Sequence, residues 1–289
     1  MHDRKFQDFV EFIPEAGPLV PNLTGPAGSK PVSRRPFFQS VPARVAHWVG
    51  AIPGLCKTAL GYGLILLRYG AVAFCAWLVS MVLLIGSYGI MPPPGSALMA
   101  VRWMNGTKID QRWVGIERIS PNLVRAVITS EDGRFCRHWG IDPKEILAAI
   151  RRSHGGLPRG ASTISMQLAK NLFLWPSKSY LRKVLEVSLT FAMELLWSKR
   201  RIMEVYLNVV EWGPGVFGAE AAARHHFGIH AKKLSAHQAS LLAVSLPNPL
   251  KRKARAPSSH VLKVASVVRK RMKRGRSVAS CVLPRKRRR

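Results

Sequence analysis

Ser130–Asp142 reads SEDGRFCRHWGID, and the rest of the chain is organised around it. It sets two adjacent carboxylates, Glu131 and Asp132, at the end of an apolar helix. A turn at Gly133, an aromatic at Phe135, cations at Arg134 and Arg137, and His138 follow. Acidic residues are scarce in this protein, 15 Asp plus Glu against 45 Lys plus Arg, a formal net charge of +30. A carboxylate pair in so basic a chain is surrounded by counter-ions, which marks it as a place for chemistry.

Working outward, Ser120-Pro121 reads as a helix start, with Ser as N-cap and Pro at the first position. Leu123, Val124, Val127 and Ile128 give that helix one apolar face, and Gly133 ends it. Asp142-Pro143-Lys144-Glu145 has the spacing of a capping box, with Ile146, Leu147 and Ile150 as the apolar stripe behind it. Gly155, Gly156 and Pro158 break this helix, and SHGGLPRG is predicted to be a mobile loop. Ser162 is expected to cap a third helix, STISMQLAKNLFL, which carries Gln167, Lys170 and Asn171 as its polar groups. A long helix from about Ser179 to Ser198 puts Arg182, Lys183 and Glu186 within one turn. KRRIMEVYLN is a further helix, EWGPGVFG a tight loop, and AEAAARHHFG and LSAHQASLLAVSLPNP two more helices. Strand signals are few, so the expected class is mostly α.

The flanks differ in character. Residues 1–50 carry Pro and Gly without a sustained period and are assigned no structure. From Tyr69 to Met91 there are 23 residues without a charge. As a helix they would be roughly 35 Å long, enough for a bilayer core of about 30 Å. Arg44, Lys57 and Arg68 before this span favour a cytoplasmic N-terminus with the bulk of the chain outside. Residues 251–289 hold 16 Lys or Arg and no acid. They read as a solvated, disordered basic tail that would attract polyanions: nucleic acid, anionic lipid headgroups or pyrophosphates. The division expected is therefore a leader at 1–68, largely disordered, a span at 69–91, a soluble domain at 92–250 and the tail. Cys56, Cys75, Cys136 and Cys281 form no CxxC pair, against a zinc site or a disulfide framework. Cys136 and Cys281 could pair in an oxidising compartment, but the reading taken is unpaired thiols.

The residue types support several chemistries. Glu131 at a helix C-terminus faces the negative end of the dipole, which raises its pKa and suits it to proton transfer. A salt bridge to Arg134 or Arg137 is the plain alternative. Glu186 one turn after Arg182 is the geometry of a surface ion pair, though a carboxylate among cations could also face a phosphate or a metal ion. Ser162 at a helix start after Gly160 is either an anion site or an ordinary N-cap. Lys170, about two turns along, could reach the same cleft. His138 reads more readily as a structural hydrogen-bonder than as a catalyst.

In order and spacing these pieces resemble the peptidoglycan glycosyltransferases. Glu131, Asp132, Phe135, His138, Gly140 and Asp142 match the first signature of that family. Gly160, Ser162, Thr163, Gln167, Lys170 and Asn171 match the second, and Arg182, Lys183 and Glu186 the third. KRRIMEVYLN and EWGPGVFGAEAAA match the fourth and fifth. The resemblance covers about Val114 to Pro249, and with one span and no room for a transpeptidase domain it points to the monofunctional members. Met166, His226 and Gln238 depart from the usual Gln, Tyr and Glu, and the Met166 change puts in question how the donor is gripped.

What the resemblance implies is a mostly α, lysozyme-like two-lobed fold held at the bacterial inner membrane, with the catalytic domain periplasmic. The implied substrates are lipid II, a disaccharide-pentapeptide on an undecaprenyl pyrophosphate, and the growing glycan strand, alongside membrane lipids. Nucleic acid is not expected, and contacts with cell-division or cell-wall synthesis proteins are left open. Glu131 would be the general base and Glu186 would stabilise the departing pyrophosphate, directly or through Mg2+ or Mn2+. Asp132, Ser162, Gln167, Lys170, Asn171, Arg182 and Lys183 would bind substrate. A lysozyme-like lytic enzyme and a membrane-tethered polyanion binder remain as alternatives.

Overall fold

The computed structural model describes residues 43–153, 160–177, 179–274 and 278–283. The expectations for the leader up to residue 42 and for most of the loop SHGGLPRG fall outside them. Among the described residues the helices are α1 (Ala43–Ile90), α2 (Ala97–Met104), α3 (Pro121–Glu131), α4 (Pro143–Arg152), α5 (Ile164–Phe173), α6 (Tyr180–Leu196), α7 (Lys199–Val209), α8 (Ala219–Phe227), α9 (Ala236–Ser245) and α10 (Ser259–Arg274). Three short strands are β1 (Asp110–Gln111), β2 (Glu211–Gly213) and β3 (Val216–Phe217). The fold is mostly helical, as expected. The chain divides into two compact units, 1–67 and 68–289. In the first, the described residues 43–67 are helical.

Short polar side chains start the helices where the sequence places them. Ser120 accepts from the Asn122 amide, Asp142 from those of Lys144 and Glu145, and Ser179 from that of Arg182. These bonds satisfy amides that have no partner within the helix. The third cap sits one residue later than expected: Thr163, not Ser162, accepts from the Met166 amide. Gln238 in place of Glu is structurally neutral, because Ser235 and Gln238 close a complete capping box.

Two segments also depart from expectation. EWGPGVFG is the hairpin β2–β3, and β3 also pairs parallel with β1. Strands of two or three residues are too short to show an alternating pattern in sequence. Gly215 makes the turn at φ +71°, and a Cβ there would lie 2.2 Å from the Lys108 carbonyl oxygen. The second correction concerns the C-terminal segment, which is not simply a solvated tail. Val261, Ala265, Val268 and Met272 form an apolar stripe buried as α10 packs on α9 and α3. Their spacing of four, three and four residues is helical, and the dense Lys and Arg between them concealed it. Beyond α10, Ala279 and Val282 are buried, the Arg200 guanidinium donates to the Val282 carbonyl at 2.7 Å, and Cys281 is disulfide-bonded to Cys136. The thiols taken as unpaired are thus a crosslink between the C-terminal segment and the first signature.

Helix α1 begins at residue 43, well before the uncharged stretch. Its part Ile65–Ile90 is 26 residues long and apolar enough to cross a bilayer. Leu66, Leu67, Phe74 and Trp77 are exposed along it, the pattern of a helix whose apolar side chains face lipid rather than a protein core. Its final turns are docked on the soluble domain. Ile85 is buried, and its carbonyl accepts from Trp197 Nε1 at 2.8 Å. The Arg201 guanidinium donates to the Tyr88 carbonyl through Nε and Nη2, at 3.0 and 2.9 Å.

Peptide mapping under non-reducing conditions is expected to yield one linked pair joining the Cys136 and Cys281 peptides. Cys281→Ser should cost about 2–4 kcal/mol of stability, seen as a fall of several degrees in melting temperature.

Candidate active site

The cleft takes shape at the C-terminal end of α3. Glu131 is the last residue of that helix and Asp132 its C-cap. Asp132 is buried and fully engaged: its carboxylate lies 2.9 and 3.0 Å from His138 Nε2, and its Oδ2 accepts from the Ile164 amide at 3.0 Å. It therefore ties the turn after α3 to the first amide of α5. Thr163 Oγ1 donates to the Gly140 carbonyl and tightens the same junction. Gly140 has φ +75°, and a Cβ there would meet Thr190 Cγ2 of α6 at 2.6 Å. Only glycine lets the signature turn lie this close to α6.

Glu131 faces a cleft of about 250 Å³ that Gly160, Ser162 and Thr163 also line. Gln167 Nε2 donates to Glu131 Oε2 at 3.1 Å, and Tyr206 Oη donates to Gln167 Oε1 at 2.8 Å. The tyrosine thereby fixes which end of the amide faces the carboxylate. Burial holds the Tyr206 phenol well above its ordinary pKa, so it stays a donor. The Glu131 pKa is raised, first by burial, which strips water from the charged form. Hydrogen bonds from Gln167 and Ser130 and the charge of Arg252 pull it back, and Asp132 pushes it up. Burial, not the helix end read from the sequence, is the leading cause.

A second cluster lies along α5 and α6. Glu186 is buried, with Arg182 Nη1 at 2.5 Å from one oxygen and Lys183 Nζ at 2.5 Å from the other. The pair is therefore interior rather than a surface ion pair. Lys170 feels all three: burial lowers its pKa, Glu186 raises it, and Arg182 and Lys183 lower it. Gln167 and Lys170 are three residues apart on α5 and share a face, so this one helix carries both the partner of Glu131 and a member of the cation cluster. Among the described residues no group of three His, Cys, Asp or Glu could hold a metal ion. Glu186, with both oxygens on cations, does not fit a resident Mg2+ or Mn2+.

The structure thus brings Glu131, Asp132, Ser162 and Gln167 together, and Lys170, Arg182, Lys183 and Glu186 together. Asn171 is buried on α5, and among the described residues no hydrogen bond ties it to Glu131 or Glu186. Met166 is buried and does not line the cleft. His226 Nε2 lies 3.1 Å from the Trp212 carbonyl, where it can donate, and burial lowers its pKa, which favours a neutral ring. Sequence reasoning missed Tyr206 behind Gln167, Arg252 whose charge acts on Glu131, and Arg271 of the cleft wall. Nothing local marks Tyr206 in KRRIMEVYLN, and both arginines lie in the segment read as a tail.

A mostly helical domain with one raised carboxyl in a cleft, and a carboxylate-braced set of cations on the neighbouring helices, has the groups that acid/base group transfer on an anionic substrate would use. The family profile described as Transglycosylase matches residues 98–273, more than half of the chain. The biosynthetic peptidoglycan transglycosylase of Rhodospirillum centenum is 50% identical over 224 residues, covering 75% of this chain and 96% of that protein. Those of Pseudomonas syringae pv. syringae and Agrobacterium fabrum are 55% and 50% identical, covering 63% and 66% of this chain and 80% and 84% of their own lengths. The chain belongs to the transglycosylase family.

Two variants test the geometry. For a base that must be ionised, a raised pKa places the acid limb of the kcat/KM profile above the ordinary glutamate value of about 4.3. Gln167→Ala removes a bond that favours the carboxylate and should shift that limb to still higher pH. Gly140→Ala should lower the melting temperature by several degrees, from roughly 1–3 kcal/mol of backbone strain plus the contact with Thr190.

Proposed function

We propose that the protein is a membrane-anchored peptidoglycan glycosyltransferase that polymerises lipid II into β-1,4-linked glycan strands. The observation that carries this reading is a raised Glu131, oriented by Tyr206 and Gln167, on a scaffold whose α5 also bears Lys170, beside Arg182 and Lys183 of α6.

The acceptor 4-hydroxyl oxygen attacks the anomeric carbon of the donor, and its proton goes to Glu131. The new C–O bond forms as the bond from the anomeric carbon to the phosphate oxygen breaks, and the electron pair leaves with the pyrophosphate. Attack opposite the leaving group inverts the anomeric centre. Proton transfer of this kind is worth about 10²–10⁴-fold in rate. Lys170, Arg182 and Lys183 stabilise the developing charge on the leaving group, as preorganised cations in a cleft partly closed to water do. Glu186 positions Arg182 and Lys183, and its negative charge keeps the cluster from repelling itself apart. Asp132 acts through the scaffold by orienting His138 and the start of α5. Ser162 offers a hydroxyl at the mouth of the cleft.

The anchor fits the substrate. A lipid-linked donor stays in the bilayer, and the final turns of α1 are packed against the domain that would act on it. Disulfides persist in oxidising compartments, so the Cys136–Cys281 bond supports a catalytic domain outside the cytoplasm, with the N-terminus inside. The lytic alternative would cut finished strands, and a cation cluster built for pyrophosphate gives it no use. The polyanion-binding alternative rested on a solvated tail, and α10 is part of the packed domain.

Purified protein with labelled lipid II should form polymer, and Glu131→Gln should lower the rate by at least about 10²-fold with the melting temperature unchanged. Release of sugars from finished cell wall without polymer would instead identify a lytic enzyme. Polymer from both proteins would move the base elsewhere.

A further inference from the structure

The C-terminal helix does more than close the fold. Between α10 and the end of α3 runs a groove of about 460 Å³. Val264 and Val267 line it with apolar surface, and His260, Lys263 and Arg271 supply basic groups along the same helix. Ser130 and Arg271 line this groove and the Glu131 cleft alike. The two spaces therefore meet at the residue before the base, whose hydroxyl donates to Glu131 at 3.3 Å.

Charge and length together specify the occupant. Lys263 and Arg271 are exposed, and among the described residues neither pairs with a carboxylate. No acid follows Glu220 in the chain, so nothing on α10 offsets them. From His260 to Arg271 the helix rises about 17 Å. An extended pentapeptide spans about the same length and carries a free carboxylate at its end. An apolar wall with basic groups at intervals suits such a chain: the stem of small side chains lies on the valines and its carboxylates meet the cations.

We infer that the groove between α3 and α10 holds the anionic peptide stem of the sugar at the Glu131 cleft, with Lys263 and Arg271 as its carboxylate contacts. This rests on the lipid II reading above. It gives the basic C-terminal helix a role in substrate binding, and it makes the enzyme sensitive to the charge of the peptide, not only to the sugar and the pyrophosphate.

The test compares the wild type with the double variant Lys263→Glu/Arg271→Glu on two substrates, lipid II with its native pentapeptide and lipid II whose peptide carboxylates are amidated. Both substitutions are on the surface, and an unchanged melting temperature would show that the fold is intact. The variant is expected to raise KM for the native substrate about fivefold more than for the amidated one, the effect of losing two exposed ion pairs. An indirect effect of the new negative charges on Glu131 would act on both substrates alike, and equal change on both would overturn the inference. Loss of binding to anionic phospholipid vesicles with no difference between the substrates would also overturn it, and would make the groove a lipid contact. Binding of the isolated pentapeptide, followed by NMR saturation transfer, reads the groove without turnover. If the wild type bound the peptide but made no polymer, the glycosyltransferase reading would fail and the groove would stand. If charge reversal left peptide binding unchanged, the groove would fail whatever the activity.

Discussion

The buried carboxylate of Asp132 holds three parts of the chain at one point. It meets the His138 ring from the turn after α3 and the first free amide of α5, while its own backbone caps α3. A buried carboxylate is tolerable only when its oxygens are satisfied, and leaving either partner unpaired costs roughly 1–3 kcal/mol. The arrangement is therefore all or nothing. With it in place, Glu131, one residue earlier, has a fixed direction, and Gln167, one turn into α5, falls within hydrogen-bonding reach. Glu131 and its hydrogen-bonding partner Gln167 come from separate helices, and Asp132 sets the distance between them.

The second constraint is electrostatic. With only 15 acids in a chain of net charge +30, carboxylates are spent where cations must be held still. Glu186 braces Arg182 and Lys183, Glu194 braces Lys199, and Glu211 braces Arg102. Each of these carboxylates is buried, where an ion pair is little screened by salt. On α10, Lys263 and Arg271 are exposed, and among the described residues neither pairs with a carboxylate. The same excess charge that reads as indiscriminate in composition is thus divided in space. Fixed cations sit beside the helix that bears Gln167, and free ones line the groove leading from the Glu131 cleft.

Much of the site was legible before any coordinates. The Glu-Asp pair, the glycine-bounded turn, the capped helix starts and the triad on α6 are local patterns, and their order and spacing carried the family resemblance. Legibility failed where the decisive partner is remote. Tyr206 is an ordinary aromatic in an amphipathic helix until α7 sets it against Gln167. Cys136 and Cys281 are 145 residues apart, a separation at which sequence carries no pairing signal. The stripe Val261, Ala265, Val268 and Met272 was present in the sequence, but 16 basic residues in the same segment outweighed it in a reading by composition.

The sequence by itself determined the helical class, the membrane-length apolar run, the positions of most caps and the residues that can carry proton transfer and phosphate charge, because periodicity, capping and side-chain chemistry act over a few residues. Tertiary structure alone decided that burial raises the Glu131 pKa, that Asp132 is a strut, that Glu186 is interior, and that the basic C-terminus is a wall of the cleft. Desolvation and long-range pairing depend on which surfaces are removed from water together, and that is a property of the packed chain.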